Sequence, residues 1–575
     1  MWYNGLEVSL TKRFSPGLQC LASYTWSKAL AAVAVRQSGY CLHRLLRPDR
    51  RHFPQSPGGT VGGAAAELVT IQLRRRFFAL ALLCLGGLPA LAEDPVTTHH
   101  HVTVGGKTLQ YTAKAGTIPI RDNDTGEVHG NMFFVAYTLD RPAGSPPRPL
   151  TFLWNGGPGS NSGLVHLLGF GPKRVSPATG NVPRLSPSGT TLVDNQDTWL
   201  VFSDLVFVDP IGTGYSRPVK PEYASEFYQS RGDAESVAEF IRVYRTRTDA
   251  FEAPLYIVGE SYGVTRCALV ADALERRRTR LSGVVMLSGG FPLVEASPAL
   301  SSALALPTLT AAAHYNKRLP PDLQSKDLQQ ALRAAETYAL GDYAAALAER
   351  DKLANERRDA VVAELSRFTG LPENQIDRTK LIVPMEQLSV SLLGQNLMIG
   401  RYDSRISGPR DPSPQYDPPT DPSLKDILDS VSVLRYLRRE LNFQSDLFYQ
   451  GPFGGGYPPP TGFRGDWMSV RWNRNAPGGS AGERGASSTA PSPTDAFRAA
   501  MTANPDLRAL VVSGYFDLVS CYFAIEQSAI HLPPDLGRRV TVRTYAGGHA
   551  IYTDDGVRHQ FRLDAAKFYQ PGAAK

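Results

Sequence analysis

Cysteine is scarce in this chain. Of its five cysteines, Cys20, Cys41 and Cys84 fall in the first 92 residues, so only Cys267 and Cys521 lie in the body of the 575-residue sequence. A dense disulfide scaffold is thereby excluded, and the two body cysteines are expected as buried free thiols. Charge of one sign is also scarce where a partner would read it. The formal net charge is +7, but residues 1–92 hold 11 Lys/Arg against 3 Asp/Glu, and the remainder holds 50 against 51. A neutral body offers nothing to nucleic acid or an anionic membrane surface. The apolar stretch from Phe77 to Ala92 has sixteen residues, short of the ~20 that a spanning helix needs, so no stable membrane anchor is expected. The one histidine cluster, His99-His100-His101, alternates faces if it lies in a strand, which makes a poor chelate. Neither a metal nor a cofactor is expected.

That apolar stretch follows Arg74-Arg75-Arg76 and ends in Ala90-Leu91-Ala92 before Glu93. A basic start, a short apolar run and small residues at the cut make residues 69–92 a secretory signal peptide, cleaved after Ala92. The Arg-Arg-x-Phe pattern hints at twin-arginine export, and Leu83 before Cys84 does not suit a lipoprotein cut. The mature chain is expected to be exported, periplasmic or secreted. Residues 1–68 then precede the signal and read as a mis-called or fused upstream segment, with a true start near Val69. Within them, residues 2–29 alternate apolar and polar positions around Ser15-Pro16-Gly17, like a hairpin from an outer-membrane barrel. A closed barrel takes about eight strands or more, so two cannot form one.

Residues 99–140 alternate and turn at glycine and Asn-Asp pairs, which predicts an antiparallel edge meander. Apolar runs follow at LTFLWNG, LVFVDPIG, LYIVGES, GVVMLSGG, LRALVVSG and VTVRTYAGG, with helix-like stretches between several of them. Such runs fit strands buried on both faces of a mostly parallel, helix-covered sheet, and the class is α/β. The sheet divides into 93–295 and 496–575. Between them, 296–495 is Ala/Leu-rich with helical spacing and then rich in Gly, Pro and Ser, a mainly helical cap insertion ending in a loop.

Two Gly-x-Ser-x-Gly patterns occur. Gly478 to Gly482, around Ser480, has no strand before it. Gly259-Glu260-Ser261-Tyr262-Gly263 follows the run PLYIV and precedes VTRCALVADALERR, the strand–turn–helix context that lifts a serine above a sheet edge. Ser261 is the candidate nucleophile. A serine hydroxyl needs a base, and the base a carboxylate. Asp517 follows the strand run LRALVVSG and His549 sits in Gly547-Gly548-His549 after VTVRTYA, giving the order Ser, Asp, His. Asn155-Gly156-Gly157-Pro158-Gly159 follows another strand run, where a glycine-rich loop can bring the Gly157 N–H to an oxyanion with the Tyr262 N–H as partner.

WNGGPGS (154–160), GTGYS (212–216), GESYG (259–263), SGYFD (513–517) and Gly548-His549 together resemble the serine carboxypeptidases in their bacterial form, over about 99–570. The resemblance implies an α/β-hydrolase sheet with a large, mainly helical cap. It implies Ser261, Asp517 and His549 as catalytic triad, and Asn155, Gly156 and Glu260 as the site for a peptide's C-terminal carboxylate. The expected activity is release of C-terminal residues from peptide substrates through an acyl-enzyme; the alternative is an esterase or acyltransferase with the same triad. Tyr515 and Ala550 depart from common eukaryotic choices, which bears on side-chain preference rather than on the triad.

Overall fold

The computed structural model describes the strand residues between 6 and 41 and residues 94–570, apart from 176–191, 290–295, 411–419, 425–426, 428–429, 452–471 and 473–491. The signal-peptide reading, the Gly478–Gly482 pattern and most of the Gly/Pro/Ser-rich loop therefore lie outside the described residues. The chain forms two units, Met1–Pro89 and Ala90–Lys575.

In the first unit, Leu6–Ser15 pairs antiparallel with Leu18–Trp26 around the expected turn. The sequence reading stopped at residue 29. Leu30–Gln37 and Tyr40–Cys41 extend the sheet to four strands in chain order. LAAVAVRQ is nearly all apolar, so it lacks the period-two signal by which strands are recognised.

The second unit is built on one mixed sheet. Its strands are β1 (Val96–Val104), β2 (Lys107–Arg121), β3 (Val128–Leu139), β4 (Leu150–Trp154), β5 (Asp204–Val208), β6 (Leu255–Glu260), β7 (Gly283–Leu287), β8 (Arg508–Gly514) and β9 (Val540–Tyr545). Their order across the sheet is β9-β8-β7-β6-β4-β5-β3-β2-β1, with Arg217–Pro218 pairing beside β3. The six strands from β9 to β5 are parallel, and β1–β3 add the expected antiparallel meander. All six predicted apolar runs are these parallel strands. Along β6, Leu255 and Ile257 join the core on one face while Tyr256 and Val258 join that on the other, which is why the run is continuously apolar. Helices α1 (Ser230–Arg247) and α2 (Tyr262–Arg276) cover the first face; α8 (Asp555–Tyr569) covers the second. This is the α/β-hydrolase sheet.

The insertion is mainly helical, as expected. Helices α3 (Leu306–Tyr315), α4 (Leu328–Tyr338) and α5 (Asn355–Thr369) pack around Leu309, Leu332 and Leu365. That cap core also takes in Phe516, Leu518, Tyr522 and Phe523 from the chain just after β8. Helices α6 (Pro493–Ala503) and α7 (Tyr522–Ile530) return the chain to the sheet.

Asp209, directly after β5, ties down the loop that follows β4. It is buried and accepts both the N–H and the hydroxyl of Ser162 at 2.8 Å. Gly214 closes over it at φ 49°, where a Cβ would stand 1.7 Å from the Asp209 carboxylate. Burial pushes the Asp209 carboxyl up to about 6, against the opposing pull of its Ser162 and Tyr449 hydrogen bonds. A carboxyl with a folded pKa above its unfolded value favours folding while protonated, and that advantage is lost as pH rises from the unfolded pKa through the folded one. Relative to Asp209→Asn, the wild type is expected to lose about 2–3 kcal/mol between roughly pH 4 and 7, read from denaturant midpoints of both proteins; parallel profiles would contradict it.

Candidate active site

The C-terminal ends of the parallel strands share one sheet edge, and three neighbouring loops there carry Ser261, Asp517 and His549. Ser261 directly follows β6 and caps α2 at φ 59° and ψ −127°. A non-glycine residue reaches that conformation only where its surroundings hold it. Its N–H donates to the Leu287 carbonyl at 2.9 Å. A Cβ on Gly259 would lie 2.1 Å from the Gly263 carbonyl oxygen, and one on Gly263 would lie 2.9 Å from Trp154. These contacts are why glycines flank the serine at this spacing.

His549 Nδ1 lies 2.8 Å from Asp517 Oδ2, with both side chains buried. Asp517 Oδ1 accepts the N–H groups of Val519 and Ser520 at 2.7 and 3.1 Å. The carboxylate is thus fixed from one side and aimed at the imidazole from the other. With the proton on Nδ1 facing Asp517, Nε2 is left with its lone pair, the form a general base needs. Nε2 is buried and makes no hydrogen bond among the described residues, so the Ser261 hydroxyl is not bonded to it here; such bonds often tighten only with substrate present. Burial lowers the His549 pKa, but the charge and hydrogen bond of Asp517, with Glu260 beyond, outweigh it and the net shift is upward.

Asn155 and Glu260 meet as well. Asn155 Nδ2 donates to Glu260 Oε1 at 3.1 Å, and the hydroxyl of Tyr552 donates to Oε2. Glu260 is 3% exposed. Burial raises its pKa, opposed by His549, Tyr552 and Asn155 and assisted by the Asp517 charge. Asn155 is itself held from behind: its Oδ1 accepts the Val165 N–H at 3.2 Å, and its carbonyl accepts Arg266 Nη1 at 2.8 Å. Arg266 and its partner Asp233, 2.8 Å apart, are both fully buried.

Gly156 lies against the serine turn. A Cβ there would stand 2.5 Å from Tyr262 N, 2.6 Å from Glu260 O and 2.9 Å from Gly263 N. Gly157 follows at φ 103°, before a cis bond to Pro158. The structure therefore brings the 155–157 loop onto the Glu260–Gly263 turn, with Gly157 and Tyr262 on adjoining backbone. Sequence reading missed Tyr552, which nothing marks beyond its position three residues after His549. It also missed Ser288, at φ 46°, whose hydroxyl donates to the His549 carbonyl at 2.6 Å. Cys267 is a buried free thiol and Cys521 a half-buried one, where two buried thiols were expected. No cluster of three or more metal-ligating side chains occurs among the described residues.

Residues 107–291, which carry Asn155, Gly156, Glu260 and Ser261, match the serine carboxypeptidase family profile. This matched segment, 185 of the 575 residues, is where the chain is similar to that family. Among curated relatives, the pheromone-processing carboxypeptidase kex1 of Aspergillus niger is 30% identical over 162 residues, covering 28% of this chain and 24% of that protein. The corresponding protein of Tuber melanosporum is 30% identical over 157 residues, covering 27% and 22%. The chain thus spans about a quarter of the length of these curated relatives. Of solved structures, the prohormone-processing carboxypeptidase Kex1Δp of Saccharomyces cerevisiae aligns with a TM-score of 0.47 at 16% identity, over 80% of this chain and 91% of that one. Residues 1–49 separately match the outer membrane beta barrel domain.

Ser261→Ala is expected to abolish labelling by a serine-directed fluorophosphonate while the thermal midpoint stays near wild type, and Ser480→Ala to leave labelling unchanged. Equal losses at both serines would contradict the assignment. Gly156→Ala pushes a methyl into main-chain atoms that cannot yield cheaply. It should cost about 1–3 kcal/mol of stability and slow labelling with it; a variant labelled at the wild-type rate would show that the loop does not touch the serine turn.

Proposed function

We propose that this chain is a serine carboxypeptidase that releases C-terminal residues from peptides through an acyl-enzyme. The observation that carries the reading is Glu260, a buried carboxyl held between Asn155 and Tyr552 and immediately preceding Ser261. A triad alone serves any acyl transfer, whereas a carboxyl with a raised pKa beside an amide donor suits the free carboxylate of a peptide end. Two carboxyl groups at hydrogen-bond distance cannot both stay ionised, so Glu260 donates its proton to the substrate carboxylate while Asn155 and the Gly156 N–H supply further donors.

His549 Nε2 then takes the Ser261 proton as Oγ attacks the scissile carbonyl, and Asp517 stabilises the imidazolium. The oxyanion is met by the N–H groups of Gly157 and Tyr262. His549 returns the proton to the leaving amine, and a water activated the same way hydrolyses the acyl-enzyme. The residues ahead of Glu93 fit export to the periplasm or beyond, with residues 1–68 lying upstream of the signal; N-terminal sequencing of the processed protein is expected to begin at Glu93, and recovery of Met1 would overturn this.

The two raised pKa values set opposing pH demands. Glu260 binds the substrate carboxylate below its pKa and loses that grip as pH rises through it. His549 accepts a proton only above its own. Peptide cleavage should therefore peak at mildly acidic pH, with KM rising toward neutrality, whereas an ester without a carboxylate shows no such rise. Glu260→Gln donates a hydrogen bond at every pH and should flatten the KM profile for peptides. Identical KM profiles for wild type and variant from roughly pH 4 to 8 would refute the carboxylate-binding role.

A further inference from the structure

The cap reaches into the catalytic loops through residues 401–405. This segment links the antiparallel strands Leu397–Ile399 and Ser407–Pro409. The Leu518 N–H donates to the Arg401 carbonyl and the Ser404 N–H to the Phe516 carbonyl, each at 2.9 Å, so the two bonds straddle Asp517. The His549 N–H donates to the Tyr402 carbonyl at 2.5 Å. Side chains repeat the pattern. The Tyr402 ring stands perpendicular to the His549 imidazole, with centroids 5.1 Å apart and planes at 89°. Arg405 donates to the Ala546 carbonyl at 2.8 Å, lies 3.4 Å from Asp554 and 2.7 Å from Asp403, and covers the Phe516 ring at 5.2 Å. Gly548 fits beneath the segment, since a Cβ there would stand 2.4 Å from Tyr402 O. Within the cap, the segment is anchored by Tyr402 N–H to Ser423 Oγ at 3.2 Å and by Asn316 to the Ser404 carbonyl at 2.9 Å.

An insertion that only covers a cleft has no need to bond to both loops of an acid–base pair. We propose that the cap segment 401–405 positions the Asp517–His549 pair, with Tyr402 as the positioning residue for the imidazole and Arg405 as the anchor of the segment. The inference rests on the serine-hydrolase reading of the triad. Asp517 restrains His549 only at Nδ1, and the loop behind it contains Gly547 and Gly548. The Tyr402 ring and the Tyr402 carbonyl remove the remaining freedom to swing. It follows that substrate enters without this part of the cap lifting away.

The test compares Tyr402→Ala, Tyr402→Phe, Arg405→Ala and Arg405→Lys in the full chain. Displacing a catalytic group by an ångström can cost about 100-fold, and Tyr402→Ala is expected to lower kcat on a blocked dipeptide by about that factor while KM stays within about twofold. Fluorophosphonate labelling of Ser261 should slow in proportion. Tyr402→Phe should restore both, because the ring itself packs against the imidazole; Arg405→Ala should lower both and Arg405→Lys recover them in part. The low-field imidazole N–H resonance of His549 should be sharp in wild type and Tyr402→Phe and broadened in Tyr402→Ala. Unchanged labelling with a sharp resonance in Tyr402→Ala and Arg405→Ala would overturn the proposal. So would a raised KM with unchanged kcat, which marks Tyr402 as a substrate contact. If wild type itself resists labelling, the serine-hydrolase reading fails, while the resonance still reports on the positioning of His549. Should Tyr402→Ala not fold, Arg405→Ala carries the same readouts.

Discussion

Ser261 sits at φ 59° and ψ −127°, a conformation that costs a non-glycine residue of order 1–3 kcal/mol and persists only where the surroundings over-determine it. Much of the fold can be read as that over-determination. The β6–β7 pairing runs to Glu260↔Leu287 and places the Leu287 carbonyl for the Ser261 N–H. Gly259 and Gly263 let the strand and helix close to within contact, and Gly156 lets a second loop approach the same turn. Gly156 and Gly259 exclude a side chain because main-chain atoms already fill the space, and Gly263 because the Trp154 ring does. The serine is thereby presented at the sheet edge, directly after the Glu260 carboxyl and beside the loop that carries Gly156.

Electrostatics at this edge work by burial. Glu260 and Asp517 are both withdrawn from water, yet their partners differ. Asp517 receives two backbone N–H groups and faces His549. Glu260 has an amide and a phenol and a raised pKa, with burial as the main cause. The two carboxyls thus differ in the donors that hold them, two backbone N–H groups for Asp517 and an amide and a phenol for Glu260. Arg266 and Asp233 neutralise each other behind Asn155. Removing either would strand a buried charge, a loss of about 3–5 kcal/mol, so the Asn155 main chain rests on a buried ion pair.

The sheet was legible because its strands announce themselves locally. Six continuous apolar runs are what burial on both faces requires, and each became a parallel strand. Gly259 to Gly263 and Asn155 to Gly159 were legible for a related reason: dense glycine marks main chain packed against main chain. What the sequence hid is whatever depends on long-range meeting. Tyr552 reaches Glu260 across 292 positions, and Tyr402 meets His549 from a cap loop with no periodic signal. Ser288, which no sequence pattern marks, bonds the His549 carbonyl. The strand Leu30–Gln37 was missed for the opposite reason, being too uniformly apolar to show alternation.

Recognition of a free C-terminal carboxylate is the property on which the proposed function rests. Its most direct test is mass spectrometry of one peptide offered as the free acid and as the C-terminal amide. A ladder of products shortened from the C-terminus is expected for the acid and none for the amide at the same enzyme concentration. Equal cleavage of both, or cuts within the chain that leave the C-terminus intact, would contradict it.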